Sequence, residues 1–126
     1  MTLTIDLKGL RVLVLEDEML IAMLLEDTLA EHECDIVGPA ASVAEALALI
    51  DAQLPDAAVM DVNIGGEKAY AVADALDQRG VPFLLVSGYG QFAVPENRPD
   101  WRVCPKPFRG EDMVAMLKQQ IGKRRG

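Results

Sequence analysis

Four short stretches carry residues that could do chemistry together. They are Glu16-Asp17-Glu18, Asp61, Ser87-Gly88 and Lys106-Pro107. Each follows an apolar run of strand length, so each sits where a strand would end. Carboxylates gathered in one place repel and need a counter-ion. Hard oxygen ligands with room for water suit Mg²⁺. One carboxylate can then act as a nucleophile toward phosphorus. A cation, an ammonium and a hydroxyl would neutralise and hydrogen-bond the phosphoryl oxygens. Each residue taken alone has a plainer role. Acids after a strand cap helices, Asp61 and Ser87 could start turns, and Lys106 could be a solvated surface residue. Compatible chemistry at four separate strand ends is the pattern that argues for a site.

The elements that must position these residues alternate along the chain. Arg11–Leu15 reads as a strand buried on both faces. A helix follows over about Met19–Glu31, with Ile21, Leu24, Leu25, Thr28 and Leu29 on its apolar face. A short strand at about Asp35–Val37 leads to Gly38-Pro39. Ser42 and Glu45 form a capping box for a helix whose face is Val43, Ala46, Leu47 and Ile50. Ala57–Met60 is the third strand and ends at Asp61. Gly65-Gly66 is expected to turn the chain into a helix bearing Ala69, Val72, Ala73 and Leu76. Gly80 closes that helix as a C′ glycine and Pro82 prevents its continuation. Pro82–Val86 is the fourth strand, ending at Ser87. Residues 88–99 have room only for a short or irregular fourth helix. Trp101–Cys104 is a weak fifth strand, and the last helix is expected over about Glu111–Ile121, ended by Gly122.

Strands alternating with helices predict an α/β fold: a five-stranded, doubly wound parallel sheet with helices on both faces. The flavodoxin-like order 2-1-3-4-5 is the natural solution. Residues 1–9 read as an N-terminal leader outside the fold, and 10–126 as one domain. In such sheets ligands bind beyond the carboxyl ends of the strands, which is where the four stretches fall.

Composition excludes several classes. The chain has 126 residues, a formal net charge of −8 and a mean hydropathy of +0.16. That charge argues against nucleic-acid binding, which rests on Lys and Arg neutralising phosphates. No apolar run is long enough to span a membrane, and the N-terminus lacks a signal-type core. A cytoplasmic protein is expected. Cys34 and Cys104 lack zinc-type spacing and read as small buried hydrophobes. His32 reads as a surface residue. A lone His without Gly-x-Ser-x-Gly leaves little room for a hydrolase triad.

The set Val12–Glu18, Asp61-Val62-Asn63, Ser87-Gly88 and Lys106-Pro107-Phe108 resembles the receiver domain of two-component response regulators over about residues 10–121. That resemblance implies a phosphoprotein, not an enzyme acting on other molecules: it would catalyse only its own phosphorylation and dephosphorylation. Asp61 would be the phosphoacceptor. Mg²⁺ would be held by Asp17, Asp61, Glu16 through a bound water, and the Asn63 carbonyl. Ser87 and Gly88 would bind the phosphoryl group, Lys106 would pair with it, and the Lys106–Pro107 peptide would be cis. The donor would be a sensor histidine kinase or a histidine phosphotransfer protein, and output would pass to a downstream protein partner. His32 does not match a phosphodonor histidine.

Two departures stand out. The switch aromatic found three positions before the lysine in most receivers is Val103 here. Phe83–Gly90 partly resembles the FAT GUY group of variant receivers, with Leu85-Val86-Ser87 in place of Phe-Ala-Thr. By that resemblance Tyr89 takes over the switch role, and the protein stands alone, signalling through the surface of its loop, fourth and fifth helices. Other readings fit less well. A haloacid-dehalogenase-type phosphatase would need a second Asp where Asn63 stands. A cobalamin domain would need a His there. A phosphorylation-independent pseudo-receiver is the main alternative.

Overall fold

A computed structural model describes residues 5–88 and 94–125. Val12–Leu15, Ala57–Met60 and Phe83–Val86 are continuous buried runs, and each forms a central strand because both of its faces are covered. The elements in chain order are β1 (Arg11–Leu15), α1 (Met19–Glu31), β2 (Asp35–Ala40), α2 (Val43–Ala52), β3 (Ala57–Asp61), β4 (Asn63–Ile64), β5 (Glu67–Lys68), α3 (Tyr70–Gln78), β6 (Phe83–Ser87), β7 (Val103–Pro105) and α4 (Gly110–Arg125). The main sheet is parallel, in the order β2-β1-β3-β6-β7. This is the expected 2-1-3-4-5 order once the small β4–β5 pair is set aside.

Strand periodicity divides the core in two. Leu13, Leu15, Ala58, Met60, Phe83 and Leu85 face α2 and α3. Val12, Val14, Ala57, Val59, Leu84 and Val86 face α1 and α4. Helix ends follow the chemistry expected of them. The Ser42 side chain accepts a hydrogen bond from the Glu45 N–H at 3.1 Å, and the Glu45 carboxylate accepts from the Ala41 N–H at 3.2 Å. Gly80, at φ +72°, donates to the Asp77 carbonyl, and Val81 donates to that of Leu76. That is a Schellman closure of α3.

Several expectations are corrected. Leu7 was expected in a leader outside the fold, but it is 1% exposed and belongs to the α1/α4 half of the core. Burying an apolar side chain outweighs leaving the segment free. β2 runs on through Ala40, past a cis Gly38–Pro39 bond. Gly38 has φ +98°, and a Cβ there would meet the Ala40 nitrogen at 2.7 Å, so only glycine fits. Leu24, expected on the buried face of α1, is exposed. Ala22, not named on the apolar face, is buried. The glycine pair Gly65-Gly66 folds the chain into the β4–β5 hairpin before α3 begins. Trp101 is buried but precedes β7. Gly122 does not end α4, which continues to Arg125 with Gly122 facing Ile5. Residues 94–100 hold no helix.

Candidate functional site

The carboxyl end of β1 delivers Glu16 and Asp17. Glu16 donates its backbone N–H to the Ala40 carbonyl at 2.9 Å, so the extended β2 fixes where Glu16 leaves the sheet. Its side chain turns inward and the residue is 2% exposed. One carboxylate oxygen, Oε2, accepts from the Glu18 N–H at 3.2 Å. The other, Oε1, is buried without a hydrogen-bond partner. Burial pushes Glu16 up to about 7. The Glu18 N–H pulls it down, the Asp61 charge raises it further, and Lys106 lowers it. Glu18 itself makes no side-chain cap for α1, so the plain capping role considered for it is not what it does.

β3 delivers Asp61, 5% exposed. Its Oδ1 accepts from the Asn63 N–H at 3.0 Å, and its Oδ2 accepts from the Lys106 ammonium at 2.7 Å. Lys106 leaves the end of β7 and also lies 3.7 Å from Glu16 Oε1. Burial acts to lower the Lys106 pKa, but the Asp61 hydrogen bond and the surrounding acids win and hold it above its ordinary value. Asp17 is exposed at the mouth, and its Oδ2 accepts from the Gly65 N–H at 2.9 Å. One carboxylate oxygen from each of Glu16, Asp17 and Asp61 lies within 4.8 Å of the others.

Ser87 ends β6, buried beside this cluster's strand, and its carbonyl accepts from the Lys106 N–H at 2.9 Å. Gly88 follows in a turn, where a Cβ would meet nothing within 4 Å among the described residues. The Lys106–Pro107 bond is cis. Asn63 begins the small hairpin, and its side-chain carbonyl accepts from the Lys68 ammonium. Tyr89 lies outside the described residues. His32 stands apart, with Nε2 3.9 Å from Glu111. Cys34 and Cys104 are buried free thiols, and burial raises both pKa values.

Of the residues named from the sequence, Glu16, Asp17, Asp61 and Lys106 come together here, and what orients them was not named. Lys68 and the Gly65 N–H were not anticipated. The Gly65-Gly66 pair was a signal for a two-residue hairpin that could have found them.

The donor set fits a hard divalent cation. Three carboxylates gather here, the Lys106 ammonium pairs with two of them, and one of their oxygens is buried without a hydrogen-bond partner. Asp17, Asp61 and Glu16 would hold such an ion, with the Asn63 backbone carbonyl as a further oxygen. The ion would supply charge neutralisation for phosphoryl oxygens.

The family model described as "Response regulator receiver domain" matches residues 12–118. The transcriptional regulatory protein PdtaR of Mycobacterium tuberculosis (strain H37Rv) is 29% identical over 117 residues, covering 90% of this chain and 57% of its own. The sensory transduction protein LytT of Bacillus cereus is 32% identical over 117 residues, covering 87% and 46%. The chain therefore spans about half the length of these curated relatives. Among solved structures, SdrG from Sphingomonas melonis Fr1 is 39% identical, with a TM-score of 0.77, covering 94% of this chain and 98% of that one. The response regulator PhyR from Brucella abortus is 26% identical, with a TM-score of 0.80, covering 93% and 49%.

Proposed function

The chain belongs to the response regulator receiver domain family, and from that premise we propose that it accepts a phosphoryl group on Asp61 in a Mg²⁺-dependent reaction. The observation that carries this reading is the buried Asp61 carboxylate, bonded to Lys106 at 2.7 Å and grouped with two further acids. One Asp61 oxygen forms the new P–O bond as the P–N bond of a donor phosphohistidine breaks. The electron pair leaves with the imidazole nitrogen. Asn63 N–H and Lys106 hold the acceptor carboxylate in place, which removes much of the orientational cost. Lys106 and Ser87 then bind the transferred oxygens. Phosphorylation adds about −1.5 to −2 charges at Asp61. Ser87, Gly88 and Tyr89 respond, altering the surface formed by the following loop, β7 and α4.

The donor is a sensor histidine kinase or a histidine phosphotransfer protein, and the output is a protein partner. The surface of α1 supports a protein donor. Met19, Leu20, Met23 and Leu24 are large apolar residues left exposed beside the acids, Leu20 at 81%. An exposed apolar group of this kind marks an interaction surface.

The test is intact-protein mass after incubation with acetyl phosphate, with and without Mg²⁺, on wild type and Asp61→Asn. A Mg²⁺-dependent gain of one phosphoryl group, lost in the variant, is expected. No gain from acetyl phosphate or from a cognate kinase would overturn the reading in favour of a phosphorylation-independent interaction module. Leu20→Asp is expected to slow transfer from a protein donor and leave acetyl phosphate labelling intact. Equal slowing with both donors would count against α1 as the docking face.

A further inference from the structure

We propose that the Asn63–Lys68 hairpin is a positioning clamp that holds Asp17 and Asp61 in their cation-binding arrangement, with Lys68 as its lock. This rests on the reading of the acid cluster as a Mg²⁺-dependent phosphoacceptor site. The hairpin pairs Asn63 with Lys68 and Ile64 with Glu67 around Gly65-Gly66. Those glycines have φ +56° and +86°. Two consecutive positive φ values are what a two-residue type I′ turn demands. A Cβ at either position would meet nothing within 4 Å. The glycines are therefore required by the backbone and not by crowding.

The hairpin places one N–H from its first arm and one from its turn on the acids. Asn63 N–H holds Asp61, and Gly65 N–H holds Asp17, whose own loop follows a different strand. Asp17 is exposed, and an exposed side chain is free to change rotamer unless something fixes it. The Gly65 bond ties it to the segment that carries Asn63 and so to the acceptor. A two-stranded hairpin of this size is marginal unaided. Ile64 anchors one arm, being 2% exposed. Lys68 ties the other arm across the pair through its bond to the Asn63 side chain.

Lys68 is also a positive charge near the mouth, which makes the sign of the effect diagnostic. If Lys68 acted only through its charge, removing it would strengthen binding of a cation. If it locks the clamp, removing it weakens binding. The experiment is isothermal titration of the full unphosphorylated chain with MgCl₂, with thermal melting to verify folding. Lys68→Met and Gly66→Val are expected to weaken Mg²⁺ binding by about tenfold, the usual scale for groups that orient metal ligands. Lys68→Arg keeps the donor, and Gly65→Asn keeps a residue tolerant of positive φ, so both are expected to stay within about twofold of wild type. Unchanged or tighter binding by Lys68→Met overturns the lock. Wild-type affinity in a folded Gly66→Val overturns the clamp. No Mg²⁺ binding by wild type itself overturns the reading of the site instead, so the two failures are distinguishable.

Discussion

Two charged clusters lie at opposite edges of the same sheet and differ in balance. At the carboxyl edge Glu16, Asp17 and Asp61 gather, and Glu16 and Asp61, both buried, share Lys106. At the other edge Arg98 pairs with Asp74 and Asp77, at 3.0 and 3.3 Å, and Arg124 also pairs with Asp77. Two arginines meet two aspartates there, and all four side chains keep contact with water. The Arg98 guanidinium also lies 5.1 Å from the centre of the Trp101 ring. This second cluster is a staple: it ties the segment before β7 to α3 and α4, and its charges cancel. The first cluster stores repulsion in a place where water is scarce. A fold tolerates that cost where a function needs it.

The contrast can be broken by substitution. Lys106→Met leaves buried acids without their cation and is expected to cost about 2–4 kcal/mol of stability in metal-free buffer. Urea unfolding midpoints with and without MgCl₂ check this, and the deficit should shrink when the ion is present. A deficit that Mg²⁺ leaves unchanged would mean that Lys106 is mainly a packing element.

Glu16 sharpens the same point through pH. Its folded pKa of about 7 lies above the ordinary 4.5. Between those values the folded carboxyl keeps a proton that the unfolded one has lost. Stability therefore falls as pH rises through about 7, while a cation that must displace that proton binds better. Glu16→Gln is expected to stabilise the metal-free protein by about 1–2 kcal/mol above pH 7 and to leave it nearly unchanged at pH 4. Equal effects at both pH values would remove burial of the charge as the cause. The smallest change is expected from Arg98→Ala. Its partners are partly solvated, so the loss should be below about 1 kcal/mol, with Mg²⁺ affinity unaltered in a direct titration.

The same contrast separates what the sequence disclosed from what it hid. Asp61, Glu16, Asp17, Ser87 and Lys106 could be assigned to one rim because each ends an apolar run, and parallel strands must end together. The strand order followed from the same regularity. The hidden parts depend on backbone conformation at single residues. Gly38 extends β2 and thereby sets the exit of Glu16, and the Gly65-Gly66 turn aims the Gly65 N–H at Asp17. Such effects arise from φ values and close approaches that hydrophobic periodicity does not encode. α1 misled for a related reason: Leu24 has the hydrophobicity of a core residue yet is exposed, while the small Ala22 is buried. The staple was invisible because Arg98 and Asp77 fall in different segments, with nothing in their spacing to pair them.

The burial of Leu7 has a practical consequence for anyone excising this domain. The family match stops at residues 12 and 118, yet Leu7 and Ile121 lie in the same half of the core, 1% and 2% exposed. A graft cut at the borders of the match would discard both, forfeiting about 1.5–3 kcal/mol for each side chain. The transplantable unit is wider than the recognisable one, and fusion joints belong before Ile5 and after Ile121.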